Sequence, residues 1–186
     1  FIDSFATIVA TYRRLQEHLR LNSLANVQSF NVALGSETGR GLLYLNADND
    51  GGHAFWDVAQ HPFNERTRSE GRSETVELLA LDHVLAGLER GQGPRLIKID
   101  AEGSEYAILK GALRTILVHE VPFIICEVNR FALAQMGASE ASLRQLLRLV
   151  GYQVALLKPD GSGIEPLADD QTADTPEVFN LLFSRV

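Results

Sequence analysis

Leu96-Ile97-Lys98-Ile99-Asp100-Ala101-Glu102-Gly103 reads as a short apolar strand that ends abruptly in two carboxylates and a glycine. In a parallel α/β sheet, ligands gather outside the carboxyl ends of the strands. Asp100 and Glu102 therefore fall where chemistry is usually placed. After Gly103, residues Tyr106, Leu109, Ala112, Leu113, Ile116 and Leu117 recur at spacings that keep one helical face apolar, so a helix is predicted there. Pro122 stops it, and a second apolar run, Phe123-Ile124-Ile125-Cys126, ends in Glu127, Val128 and Asn129. Two parallel strands would aim Asp100, Glu102, Glu127 and Asn129 toward one rim.

Outward from these strands, Thr11 to Leu21 places Tyr12, Leu15 and Leu19 on one face of an amphipathic helix, ended by Asn22 and Ser23. Strands are expected at Val27 to Leu34, Leu42 to Leu45 and Thr75 to Leu81, with a turn at Gly35-Ser36-Glu37-Thr38-Gly39. Between them, Asn46 to Ser73 is polar and too long for an ordinary connection, so it is either disordered or a functional loop insertion. Its Gly51-Gly52-His53-Ala54-Phe55-Trp56 segment sets flexible backbone beside an imidazole and the single tryptophan, a combination suited to covering a ligand. The alternative is a loop whose aromatics anchor it to the domain. Toward the C-terminus, Ser139 to Val150 reads as a helix closed by Gly151, and Tyr152 to Leu157 and Glu177 to Phe183 read as strands. They flank the turn at Lys158-Pro159-Asp160-Gly161 and an acidic loop around Asp169, Asp170 and Asp174. The alternation predicts a single α/β domain over residues 1–186, built as a three-layer sandwich.

With 186 residues, 45% of them hydrophobic and 22% charged, the chain can bury a core of its own. A formal net charge of -7 argues against nucleic acid or an anionic membrane as partner, because both call for clustered Lys and Arg. A small-molecule or carbohydrate partner fits better. The single cysteine, Cys126, lies inside an apolar strand, where a buried structural thiol is expected rather than a nucleophile. No apolar run approaches the ~18 residues of a spanning helix and no leader is visible, so cytoplasmic residence is the expectation.

The blocks Lys98-Ile99-Asp100-x-Glu102-Gly103-x-Glu105, Lys110-Gly111-Ala112 and Cys126-Glu127-Val128-Asn129 together resemble the C-terminal part of an FkbM-type methyltransferase domain. The resemblance extends to Arg20-Leu21-Asn22, Asn26-Val27, Asn31-Val32-Ala33-Leu34 and Leu81-Asp82, and so covers the chain from about Tyr12 to Asn129. It implies a class I methyltransferase-like, Rossmann-like fold. The sheet would be mostly parallel and seven-stranded, with Glu177 to Phe183 as its antiparallel member. It also implies S-adenosylmethionine as cofactor and methyl transfer to a hydroxyl of a sugar or natural-product-like molecule. A hydroxyl needs its proton removed, and a carboxylate or imidazole can do so. Asp100 is the first candidate, followed by Glu102, Glu127 and His53. Asn31, Ala33 and Asp100 would meet the cofactor, and His53, Trp56 and Asn129 the substrate.

Each of these residues also has a structural reading. Asp100 could cap the following helix, Glu102 could complement its dipole, Glu127 could pair with Lys98 across the strands, and Asn31 could form a turn. Histidines 18, 61, 83 and 119 show no metal-binding spacing. An oxygen-rich rim of Asp100, Glu102 and Glu127 would suit magnesium or calcium, but no metal is assigned.

One departure from the family pattern stands out, since the glycine-rich loop D-x-G-A-N-x-G that follows the family's first strand is absent. If Phe1-Ile2-Asp3 is that strand, Ser4-Phe5-Ala6 replaces the glycine turn, and Phe bars the close backbone approach that Gly permits. If instead Ser4-Phe5-Ala6-Thr7 matches A-F-E-P of the second strand, Ala6 lacks the acceptor for the ribose hydroxyls. Either alignment leaves about one βαβ unit missing at the N-terminus, roughly 30 residues. Such a gap predicts an unpaired sheet edge and homo-oligomerisation through it. The rival to catalysis is therefore an inactive methyltransferase-like domain serving in substrate binding or protein interaction. A carboxylate-metal hydrolase is a third reading, with no ligand spacing to support it.

Overall fold

The computed structural model describes residues 2–89, 92–168, 171–175 and 178–185. The chain starts with strand β1 (Ile2–Phe5), helix α1 (Val9–Leu21) and strand β2 (Val27–Phe30), a parallel β-α-β unit with Phe5 stacked on Phe30 at 5.1 Å. Tyr12, Leu15 and Leu19 are the half-buried positions of α1, as its periodicity predicts, yet no residue of that helix is fully buried. Asn22 ends it, its amide donating to His18 O at 2.8 Å.

The strand expected over Val27 to Leu34 is in fact two. The chain leaves β2 at Asn31, and β3 (Ala33–Leu34) joins a different sheet of order β3-β5-β4, completed by β4 (Gly39–Tyr44) and β5 (Ser73–Leu79). Asn31 makes the break, because its amide donates to Ala6 O at 2.8 Å and Thr7 O at 3.0 Å and so ties together the ends of β1 and β2. The Thr75 to Leu81 strand stops earlier than expected, and Leu81 opens the short helix α3 (Leu81–Val84).

The Asn46 to Ser73 insertion is ordered. It holds a 3₁₀ turn at Val58–Gln60 and helix α2 (Glu65–Glu70), and buried polar groups organise it. Thr67 Oγ1 donates to Asp48 Oδ2 at 2.7 Å, and Asn46 Oδ1 accepts from the amides of Asp48 and Asn49 at 2.9 and 3.0 Å. The hydrogen bonds from Thr67 hold the Asp48 carboxyl below the usual carboxylate range.

The largest sheet follows, with β6 (Leu96–Ile99) parallel to β7 (Phe123–Asn129). Between them lie two helices, α4 (Glu105–Lys110) and α5 (Leu113–Val118), where the apolar spacing suggested one continuous face. The break at Gly111 has a packing cause. A Cβ placed on Gly111 would sit 2.0 Å from Gly35 O, so the joint presses directly on the backbone after β3. Asp82 locks it, donating its N–H to Gly111 O at 2.9 Å and accepting from the amides of Arg114 and Thr115 at 2.9 and 2.6 Å, at the start of α5. Leu117, expected inward, is 44% exposed as a result.

Helices α6 (Arg130–Gln135) and α7 (Glu140–Leu149), then β8 (Tyr152–Leu157), β9 (Ile164–Pro166) and β10 (Val178–Arg185), complete the order β6-β7-β10-β8-β9. Ser139 caps α7 through a reciprocal hydrogen-bonded pair with Ser142. The antiparallel C-terminal strand is present as β10, inserted between β7 and β8; Glu177, Asp169 and Asp170 lie outside the described residues. Among the described residues the strands form three separate sheets with both parallel and antiparallel pairings, not a single mostly parallel one. The outer edges of β1 and β6 pair with no other strand described.

The main core gathers Leu109, Ile116, Ile124, Leu133, Leu143, Leu147, Leu181 and Phe183, each 1% exposed or less. Cys126 is fully buried among them, and burial pushes its thiol pKa up beyond any reactive range. Arg130 and Arg144 both pair with buried Glu140, at 2.9 and 3.3 Å, which ties α6 to α7. No helix among the described residues is long and apolar enough to cross a membrane.

Candidate active site

Ile99 pairs with Cys126, so the residues that follow, Asp100 just past β6 and Glu127 still within β7, stand side by side. The turn after Asp100 is unusual, because Glu102 adopts a left-handed backbone with φ of 46°. A non-glycine residue holds that conformation only where its surroundings fix it. Three contacts do so here. Trp56 Nε1 donates to Glu102 O at 2.9 Å. Asn129 Nδ2 donates to Glu102 Oε2 at 3.3 Å. Gly103, at φ of 100°, fits so tightly against α6 that a Cβ would come 2.6 Å from Ala132 O.

Glu105 organises the same turn from inside. It is 1% exposed, and its Oε1 accepts from the amides of Ala101 and Gly103 at 3.0 and 3.1 Å. Burial raises its pKa above the usual carboxylate range, and Oε2 has no hydrogen-bond partner. The capping role considered for Asp100 is thus not what the structure shows, since Ser104 precedes α4 and Glu105 takes the free amides. Asp100 is exposed and pairs with Lys98 at 3.1 Å, and the Lys98 charge also acts on Glu127, favouring its ionised form.

Glu127 is the most perturbed of the rim acids. Burial, the charge of Asp100 and a hydrogen bond with the Asp100 carboxyl push its pKa from 4.5 to about 7. A like charge beside a partly buried carboxyl favours its protonated form in this way. Glu102 is also raised, chiefly by burial and then by the Asp100 charge, with the Asn129 amide opposing. Asn129 in turn caps α6, its Oδ1 accepting from Ala132 N at 3.1 Å. Among the described residues, no group of three or more His, Cys, Asp or Glu side chains is arranged to hold a metal ion.

The structure thus brings Asp100, Glu102, Glu127 and Asn129 together as the sequence suggests, and adds Trp56 from the insertion. His53 does something else, its Nδ1 accepting from Asn46 N at 2.9 Å, and burial holds its pKa below the usual 6.5. It locks the insertion as a neutral imidazole. Ala33 is 2% exposed and paired with Leu78, and Asn31 serves the β1–β2 tie. Sequence reasoning missed Glu105 as the organiser of the turn, although the two-residue spacing from Gly103 was its signal. It also missed Phe131 and His61, whose rings stand 5.1 Å apart in edge-to-face contact, Phe131 meeting Trp56 in turn at 5.6 Å. No spacing announces that contact, because the rings come from the insertion and from α6.

Residues 6–154 match the model of the methyltransferase FkbM domain. Among solved structures, the chain is similar to the crystal structure of methyltransferase FkbM from Methylobacillus flagellatus KT, with a TM-score of 0.52 and 17% identity, over 98% of this chain and 36% of that one. The chain therefore spans about a third of the length of that protein, and at this identity the likeness speaks for the fold. No curated protein matches. The family match spans the β1–β2 tie, the Asp82–Gly111 lock and the acid turn alike, and the chain belongs to the FkbM methyltransferase family.

Proposed function

We propose that the chain takes part in transfer of a methyl group from S-adenosylmethionine to a hydroxyl oxygen of a small, neutral acceptor. The observation that carries this reading is Glu127 set beside Asp100 across two parallel strands, with burial and the Asp100 charge bringing Glu127 to about 7. A general base works best when its pKa lies near the operating pH. Glu127 would take the hydroxyl proton, Asp100 would hold Glu127 in position through their shared hydrogen bond, and Asn129 would orient Glu102 beside them. The cofactor, when bound, supplies an activated methyl group on a cationic sulfur. The rim fits a cation, since it joins three carboxyl groups and Asp100 is open to solvent. Asp100 would face that charge, and Asn31 and Ala33, where the chain leaves β2 and enters β3, would border the adenine.

Calorimetric titration of the chain with S-adenosylmethionine and S-adenosylhomocysteine tests the proposal. Micromolar binding, weakened about tenfold or more in Asp100→Ala, is expected; that factor is about 1.4 kcal/mol. Absence of heat from a chain whose circular dichroism shows it folded overturns the reading.

The open edge of β6 favours a second reading, in which the domain serves interaction. Leu96 on that strand is 51% exposed, and an unpaired edge is a template for another strand. Under this reading, sedimentation at micromolar concentration shows a dimer; a monomer removes its support.

A further inference from the structure

Ser104 N donates to Ala101 O at 3.1 Å and closes a tight turn whose two central residues, Glu102 and Gly103, both have positive φ, 46° and 100°. Turns of that shape are dominated by Gly, Asn and Asp, which enter the left-handed region at little cost. A glutamate there is strained, and such strain persists only where the surroundings over-determine it. The amides of the turn are satisfied locally, since Glu105 Oε1 accepts from Ala101 and Gly103. The Glu102 carbonyl instead reaches out of the turn, to Trp56 Nε1 at 2.9 Å, a donor 46 positions earlier in the chain.

That donor is firmly seated. Trp56 is 8% exposed, clusters with Ala54, Val58 and Ala132, and has the Phe131 ring edge-on at 5.6 Å. Just before it, Ala54 and Tyr44 exchange backbone hydrogen bonds at 2.8 and 3.2 Å, which fastens the segment to β4. Phe131 lies two residues beyond Asn129, whose amide donates to the Glu102 carboxyl. Glu102 is thus gripped at both ends, its carbonyl by the insertion and its carboxyl by the start of α6, and the two grips touch through the Phe131 ring. Relaxation of Glu102 to a negative φ would carry its carboxyl away from Asn129 and leave the buried indole N–H without an acceptor, a costly state for a buried donor.

We infer that Trp56 is a positioning residue of the acid rim, the link through which the Asn46 to Ser73 insertion sets where the Glu102 carboxyl stands. Its use in catalysis rests on the methyl-transfer reading; the placing of the carboxyl does not. Carboxyl-carbon NMR of the full chain labelled at glutamate, followed over pH, tests it, with Glu102→Gln assigning the Glu102 signal. In the parent, burial and then the Asp100 charge hold Glu102 above the ordinary 4.5, the Glu105 charge adding and the Asn129 amide opposing. Trp56→Phe keeps a ring and removes the N–H. Its Glu102 midpoint is expected to fall toward 4.5 as the carboxyl swings into water, while Glu127, shifted chiefly by its own burial and by Asp100, stays raised. Benzothienylalanine at position 56 has the shape of the indole with sulfur in place of N–H; it gives the same fall, and serves where the smaller ring fails to fold. Val58→Ala truncates a side chain 1% exposed in the same cluster, and lowers the melting temperature with the Glu102 midpoint unchanged. A midpoint unmoved in the folded position-56 variants, or moved equally by Val58→Ala, overturns the proposal. A moved midpoint in a chain that binds no S-adenosylmethionine keeps the positioning and loses the transfer reading; cofactor binding with an unmoved midpoint does the reverse.

Discussion

The β1-α1-β2 unit and the sheet led by β6 and β7 are made of similar elements, yet they are held by different means. Every buried member of the main core cluster lies between Leu81 and Phe183, while α1 contributes no fully buried residue. The N-terminal unit meets that core through partly buried Phe5 and is otherwise fastened by polar ties, such as the Asn31 amide to Ala6 O and Thr7 O. The half that carries the acids is thus rigidly packed, and the half that borders the proposed cofactor side is thinly packed. Regions with few buried apolar contacts open at lower free energy than the core.

The sharpest way to break this comparison is a pair of truncations. Ile116→Ala removes a fully buried side chain from the core and is expected to cost about 2–5 kcal/mol. Leu15→Ala, on the half-buried face of α1, is expected to cost about 1 kcal/mol or less. Urea unfolding measures both. Equal losses would mean that α1 belongs to the same cooperative core after all.

The joint between the β6–β7 region and the backbone after β3 comes next. Gly111→Ala drives a methyl group onto Gly35 O and should cost about 1–3 kcal/mol, whereas Gly39→Ala meets nothing within 4 Å and should be close to neutral. A thermal melt in which both variants behave alike would show that the β3 backbone yields freely at this contact.

These contacts also explain what the sequence made legible. The acid rim could be read because abrupt polarity marks strand ends locally: the run into Asp100 declares where β6 stops, while the run into Glu127 marks the rim two residues before β7 ends. The split of Val27 to Leu34 could not, since Asn31 leaves β2 for partners at Ala6 and Thr7, about 25 residues earlier in the chain. Nor could the break at Gly111, where apolar spacing favours a continuous helix and the interrupting group is the carbonyl of Gly35. The order inside Asn46 to Ser73 was hidden for the same reason. Its polar residues look like solvated loop until Thr67, Asp48 and Asn46 are seen to satisfy one another. Local pattern reveals elements; long-range hydrogen bonds decide how they divide and join.

The smallest expected effect separates the rim from the insertion by sign. Glu127 has a folded pKa of about 7 against 4.5 for a free carboxyl, so between those values the folded chain keeps a proton that the unfolded chain has lost. Its contribution therefore favours the fold at low pH and fades as pH rises through about 4.5 to 7. Glu102 and Glu105, also raised, act in the same direction. His53 acts oppositely. Its pKa is held below 6.5, so the unfolded chain gains a proton first as pH falls, and the insertion loses stability there. Chemical unfolding of the parent and of Glu127→Gln across this range should give a difference curve that grows in favour of the variant as pH rises toward 7 and levels off above it. The residual slope in the variant belongs to the remaining acids and to His53. A flat difference curve would mean that Glu127 ionises as a free carboxyl does, and its proposed role as a base near neutral pH would be lost with it.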